Sequence, residues 1–333
     1  MGRMRASLVL AGMAAVAAAA VPAVARHVRA LRAADPSLLN PLSLIPVPYR
    51  LLAPLTKSRP PAASVFPAGV VGARRTVPAD GGRPAVDVVT YEPLARTRPS
   101  GALLWIHGGG YVLGDPAMDD AWCSQVATQL GALVVSVDYR RAPEHPFPAP
   151  LDDCHSALTW LVGHAGELGV DRERIAVGGE SAGGGLAAAL AQRAHDDGLP
   201  VCFQLLVYPM LDDRTVTRAA AGDWALVWPP PANRYGWTSY LGVDPGGDEG
   251  RPYAVPARRA DLSGLPPAWI GVGTVDLFHA EDVTYARRLR AAGVDCDLHE
   301  VPGMFHAADR GSAQAAMVEF TRRKLECLRP YLT

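Results

Sequence analysis

Residues 175–194 read Ile175-Ala176-Val177-Gly178-Gly179-Glu180-Ser181-Ala182-Gly183-Gly184-Gly185-Leu186-Ala187-Ala188-Ala189-Leu190-Ala191-Gln192-Arg193-Ala194, and this stretch decides the fold. Its first three residues are a short apolar run of the kind that forms a buried strand. From Ala182 onward the chain is rich in alanine, the best helix former. Between the two lies Gly179-Glu180-Ser181-Ala182-Gly183. Glycines on both sides of the serine permit a sharp strand-to-helix turn that presents the serine oxygen. In a chain with 33 glycines a bare GxSxG is common. The strand–turn–helix setting is what makes Ser181 a candidate nucleophile.

The same alternation extends in both directions. Val86 to Tyr91 is strand-like, and Ala102 to Ile106 is an apolar run leading into glycine. Ala117 to Gly131 reads as a helix ending on glycine, followed by a buried strand from Leu133 to Val137. Leu151 to Leu168 is helical, and Phe203 to Tyr208 is the next strand. The pattern breaks from Leu211 to about Leu265, where Trp224, Trp228, Trp237 and Tyr240 mix with Pro229-Pro230-Pro231, as a lid would. It returns with Ala268 to Val272, His279 to Ala292, Leu298 to Val301 and Ala313 to Leu328. Strands alternating with helices predict an α/β class with a mostly parallel central sheet flanked by helices. The expected organisation is a hydrophobic segment at 1–25, an arm at 26–70 and a catalytic domain at 71–333 with a cap insert at about 211–265.

Composition agrees with a large core. Of 333 residues, 49% are hydrophobic and 20% charged, which excludes wholesale disorder. Lys and Arg total 32 against 33 acids, so the basic face expected of a nucleic-acid binder is missing. Five dispersed cysteines contain no CxxC pair and read as small core residues, with one disulfide left open for an exported chain.

The N-terminus supports two readings. Arg3 and Arg5 precede an uncharged run from Ala6 to Ala25 that ends in Ala23-Val24-Ala25, the layout of an export signal or a membrane-associated segment. Arg26, His27, Arg29 and Arg32 follow at once, and positive charge there opposes translocation. The alternative is an alanine-rich helix packed on a cytoplasmic protein. Pro36 to about Pro67 reads as short helical turns separated by breakers. Oligomeric state stays open.

Serine is a weak nucleophile without a base. Of nine histidines, His306 lies in the loop Gly303-Met304-Phe305-His306, after a strand and before the last helix. Asp276 follows the strand Ala268 to Val272, at a carboxyl end where loops of an open sheet build sites. Each has an ordinary alternative, Asp276 as a helix cap and His306 as a loop histidine. His107-Gly108-Gly109-Gly110 follows the strand Ala102 to Ile106 and offers bare backbone N–H groups for a developing oxyanion. No metal or cofactor is called for. There is no HExxH, and the run from Gly271 to Asp276 lacks the third glycine of a dinucleotide loop.

From Ala102 to the C-terminus the chain resembles the bacterial hormone-sensitive-lipase family of carboxylesterases, within the α/β-hydrolase fold. The resemblance rests on HGGGYVLGD at 107–115, DYRRAPEHPFPAPLDD at 138–153, GESAGGGLA at 179–187, GTVDLFHAED at 273–282 and GMFHA at 303–307. The order Ser181, Asp276, His306 is that of α/β-hydrolases. The resemblance implies Ser181 as nucleophile, His306 as base and Asp276 as orienting acid. It implies oxyanion donors at Gly109, Gly110 and Ala182, with His107 and 138–144 supporting the loops. The implied substrate is a small-molecule ester with a short- to medium-chain acyl or aryl group. Two departures stand out: Glu180 replaces the more usual Asp or Thr, and Leu277 the usual proline. Two rivals remain at this level. One is an arylacetamide amidase or deacetylase using the same triad. The other is a non-catalytic small-molecule binder like the plant gibberellin receptors, which lose the triad histidine retained here as His306.

Overall fold

A computed structural model describes residues 25, 27–39, 64, 66–218 and 225–333. Its strands are β1 (Val70–Val77), β2 (Val86–Pro93), β3 (Ser100–Ile106), β4 (Leu133–Asp138), β5 (Val170–Glu180), β6 (Phe203–Val207), β7 (Ala268–Gly273) and β8 (Cys296–Val301). They form one sheet in the order β1-β2-β4-β3-β5-β6-β7-β8. The pairs β1–β2 and β2–β4 are antiparallel, and every pairing from β4 to β8 is parallel. The expected α/β-hydrolase architecture is therefore present.

Burial explains the continuous apolar runs. Every residue of β3 is buried, as expected where helices cover both faces of a parallel sheet. Its side chains alternate between two cores. Ala102, Leu104 and Ile106 join one with α2 (Ala149–Gly163), α4 (Ala182–Asp197) and α6 (His279–Ala291). Leu103 and Trp105 join the other with α1 (Asp120–Leu130) and α7 (Ala315–Leu332). The short α3 (Ala165–Leu168) leads into β5.

Three differences from the sequence reading have local causes. Strand β1 was not anticipated; it is an edge strand whose Arg74 and Arg75 are not buried, so its pattern lacks an apolar run. Helix α7 continues past Leu328 through Pro330, because Leu328 and Leu332, one turn apart, are both buried. The cysteine question closes as well, since all five are free thiols.

The insert contains no strand among its described residues. It holds α5 (Pro230–Leu241) and two 3₁₀ turns, Asp213–Val216 and Pro256–Arg258. Trp237 and Tyr240 pack on Tyr111, with Tyr240 stacked at 4.0 Å, so the insert sits on the loop after β3. Trp224 lies outside the described residues. So do residues 1–24, the expected signal or anchor, and 40–63, most of the arm. Residues 27–33 are helical, and Ala30, Ala34 and Leu38 share a core with Met304 and Phe305. The Asp35 N–H donates to the Gly303 carbonyl at 3.0 Å, tying this part of the arm to the loop that carries His306. No described helix is long and apolar enough to cross a membrane.

Candidate active site

Strand β5 ends at Glu180 and α4 begins at Ala182, leaving Ser181 alone in the turn with φ 54° and ψ −122°. That conformation is costly for a residue with a Cβ and persists only where its surroundings enforce it. Here the Ser181 N–H donates to the Val207 carbonyl at 2.9 Å. The Ser181 carbonyl accepts from Gly185 at 3.0 Å and Met210 at 2.9 Å. The flanking glycines are required by contact. A Cβ on Gly183 would stand 2.1 Å from the Ile106 carbonyl oxygen, and one on Gly179 would stand 2.3 Å from that of Gly183. Both obstacles are backbone and cannot swing aside. Gly183→Ala is accordingly expected to destabilise the protein by about 3 kcal/mol through overpacking, read as a lower urea midpoint. An unchanged midpoint would refute this packing argument.

The structure brings the three separated candidates together. His306 Nε2 lies 2.9 Å from Ser181 Oγ, and His306 Nδ1 lies 2.8 Å from Asp276 Oδ2. Asp276 Oδ1 accepts the Phe278 N–H at 2.9 Å, so the aspartate serves the backbone leading into α6 and the imidazole at once. All three side chains are buried, each in the segment that follows the end of a strand, β5, β7 or β8. A carboxylate facing Nδ1 holds the ring proton there, which leaves Nε2 free to accept from the Ser181 hydroxyl. The rings of Tyr208 and Phe278 make T-shaped contacts with the His306 ring, 4.9 and 5.2 Å between centres, and confine its plane.

The glycine loop is shaped by its carbonyls. His107 Nδ1 bonds the Gly108 carbonyl at 2.7 Å, and the Gly109 carbonyl accepts from Val112 and Leu113 at 3.2 and 2.9 Å. Across a planar trans peptide the N–H points away from the preceding C=O. The Gly109 and Gly110 N–H groups are thereby turned away from these bonds. Like that of Ala182, neither has a backbone acceptor among the described residues. Gly109 and Gly110 adopt φ of 119° and 61°, and a Cβ on Gly110 would meet the Trp228 ring at 2.0 Å. Burial lowers the His107 pKa to about 4, so the ring is neutral at pH 7 and holds one tautomer. It stacks on Tyr139 at 4.3 Å, whose hydroxyl donates to the His107 carbonyl at 3.0 Å. Arg141 donates to the Gly114 carbonyl, and Ala142 N–H to that of Tyr111 at 2.9 Å. These contacts make 138–144 a brace for the loop.

Glu180 packs where its departure from the usual residue matters, with Oε1 only 3.1 Å from where a Gly108 Cβ would stand. Four residues at the site were not singled out from sequence: Tyr208, Phe278, Glu281 and Arg310. Phe278 and Glu281 had a local signal, since both lie in the run 273–282 around Asp276. Glu281, in the first turn of α6, accepts the N–H groups of Leu211 and Asp212 at 2.7 and 3.1 Å and the Thr215 hydroxyl. It thus ties the insert to the helix after Asp276.

Burial pushes the Glu281 carboxyl up to about 8 from its usual 4.5, and holds Asp282 well above its usual value as well. Between those two values the folded protein keeps a proton on Glu281 that the unfolded chain has released. The stability this contributes is complete below the unfolded value and is lost as pH rises through the folded one. The difference is on the order of 5 kcal/mol. Glu281→Gln keeps the acceptor and should flatten the fall in Tm from about pH 5 to about pH 9. An identical pH profile would show that Glu281 is ionised in the fold.

Comparison with known proteins agrees with this geometry. The profile of a family described as alpha/beta hydrolase fold matches residues 103–310. Esterase LipI of Mycobacterium tuberculosis is 40% identical over 233 residues, covering 69% of this chain and 72% of its own. Carboxylesterase NlhH of the same organism is 38% identical over 269 residues, covering 77% and 81%. Among solved structures, a bacterial heroin esterase superposes with a TM-score of 0.82 at 36% identity, covering 91% of this chain and 99% of its own.

Proposed function

This chain belongs to the hormone-sensitive-lipase-like branch of the α/β-hydrolase family and is a carboxylic ester hydrolase; on that premise we propose acyl transfer in two steps through Ser181, His306 and Asp276. The observation that carries the assignment of residues is the continuous Ser181–His306–Asp276 chain of hydrogen bonds, at 2.9 and 2.8 Å. Ser181 Oγ attacks the ester carbonyl carbon as its proton passes to His306 Nε2. Negative charge gathers on the carbonyl oxygen, where the N–H groups of Gly109, Gly110 and Ala182 receive it without having to reorganise. His306 then protonates the departing alkoxide, and the acyl group stays on Ser181. Water, deprotonated by the same imidazole, attacks the acyl-enzyme and releases the acid. Asp276 keeps the imidazole in the required tautomer and stabilises the imidazolium.

Short- to medium-chain acyl or aryl esters are the substrate class that fits. The Trp228 ring lies directly on Gly110, which narrows the space beside an oxyanion donor. We read the arm at 26–70 and the insert at about 211–265 as a cap over this site. The arm's support is the packing of Ala30, Ala34 and Leu38 with Met304 and Phe305, and the insert's is Trp228.

The test is turnover of p-nitrophenyl acetate, butyrate, octanoate and palmitate. The expected kcat/KM is highest on acetate or butyrate and lowest on palmitate. Folded protein inert on all four, or faster on palmitate, would overturn this reading. A matched anilide cleaved faster than its ester would favour the amidase alternative.

A further inference from the structure

Four residues after His306, the same loop carries Arg310, whose guanidinium reaches two neighbouring elements at once. Its Nε donates to Glu180 Oε1 at 2.9 Å, Nη2 donates to Glu180 and Asp119, and Nη1 donates to the Met118 carbonyl at 3.3 Å. Glu180 directly precedes Ser181. Met118 and Asp119 belong to the 3₁₀ turn Pro116–Asp119, which follows the glycine loop and leads into α1. The loops bearing the base, the nucleophile and the oxyanion donors thus converge on one cation.

The surroundings make this a built network. Both acids are buried, and Asp119 also accepts from Trp105 Nε1 at 2.7 Å. The Tyr208 hydroxyl lies 3.1 Å from Glu180 Oε2 and 3.0 Å from Asp309 Oδ1. Lys324 closes the far side, donating to Asp309 at 2.8 Å. Tyr208 is also in T-shaped contact with the His306 ring, 4.9 Å between centres. A buried ion pair seldom adds stability over an apolar substitute, but its forked geometry fixes where groups sit.

We propose that Arg310 is a positioning residue, holding the His306 loop, the Ser181 turn and the turn after the glycine loop in the one register at which proton transfer occurs. The proposal rests on Ser181 and His306 being the reacting pair. Displacement by a fraction of an ångström between such groups is costly in rate but leaves substrate binding nearly untouched. Glu180 contributes by transmitting the contact: it ends β5 and lies against Gly108.

Arg310→Met alone strands two buried carboxylates and is exposed to simple misfolding. The informative variant is Arg310→Met combined with Glu180→Gln, which removes one charge of each sign and keeps the shape of residue 180. Both are compared with wild type on p-nitrophenyl butyrate, with rates normalised to sites titrated by diethyl p-nitrophenyl phosphate. The double variant, in which Asp119 keeps its bond from Trp105 but loses its cation, is expected to melt lower than wild type yet stay folded with an unchanged KM, while kcat and the phosphorylation rate fall roughly 10- to 100-fold. Wild-type kcat per titrated site in the double variant would overturn the proposal, as would a loss of kcat matched by an equal loss of titratable sites. Ser181→Ala run in parallel separates the two claims. If it hydrolyses ester at the wild-type rate the triad reading fails, whereas if it is inert beside a fully active double variant only the role of Arg310 fails.

Discussion

Asp276→Asn is expected to lower kcat roughly 10⁴-fold with little change in KM or fold. The size follows from the two bonds Asp276 makes. Its Oδ1 accepts the Phe278 N–H at 2.9 Å, and only an oxygen can occupy that place. In the asparagine variant the amide oxygen is therefore held by Phe278, and the NH₂ group takes the position of Oδ2, facing His306 Nδ1. An N–H donor there forces the imidazole to present Nδ1 as acceptor and to carry its proton on Nε2. That tautomer cannot take the proton of Ser181, 2.9 Å away. The variant also removes the charge that stabilises the imidazolium. Steady-state kinetics with p-nitrophenyl butyrate, beside a thermal melt, decide the matter. A loss under tenfold in folded protein would mean that Asp276 does not orient the base.

Ser181→Ala is expected to cost at least roughly 10⁴-fold in kcat, leaving the residual rate that oxyanion donors and binding supply by themselves. The fold should survive. The bonds that pin residue 181 run through its backbone, to Val207, Gly185 and Met210, and alanine keeps all of them. Alanine also bears the same unfavourable φ as serine, so the substitution adds no strain at the turn. The measurement is kcat on p-nitrophenyl acetate, with circular dichroism to establish folding. A folded variant within tenfold of wild type would remove Ser181 from the mechanism.

What could be read from the sequence was what is local in the chain. The turn at Ser181 is spelled out within five residues, because both its glycines and its serine answer to one bend. The loop from His107 to Gly110 is equally compact. Asp276 and His306 are far from Ser181 in sequence, but each follows a recognisable strand, and their order along the chain narrowed the choice. Contacts across the sheet left no such trace. Arg310 meets Glu180 over a separation of 130 residues, and Glu281 meets Leu211 over 70. Charged residues of this kind read as solvated surface until the fold buries their partners. Strand β1 escaped for a similar reason, since Arg74 is engaged with Asp138, on a strand two places away in the sheet, and leaves no alternation to detect. The distinction also applies to Glu180, whose departure from the usual residue could be seen in the motif while its contact with Arg310 could not; it lies against Gly108 and under Arg310.

The central claim is that Ser181 carries the acyl group between the two steps. The most direct test uses diethyl p-nitrophenyl phosphate, which leaves a phosphoryl group on the attacking oxygen that water removes only slowly. Intact mass and peptide mapping of the treated protein should show one adduct per chain, on the peptide containing Ser181, formed in step with the loss of esterase activity and absent from Ser181→Ala. An adduct on another residue, or full inactivation without any adduct on that peptide, would contradict the account.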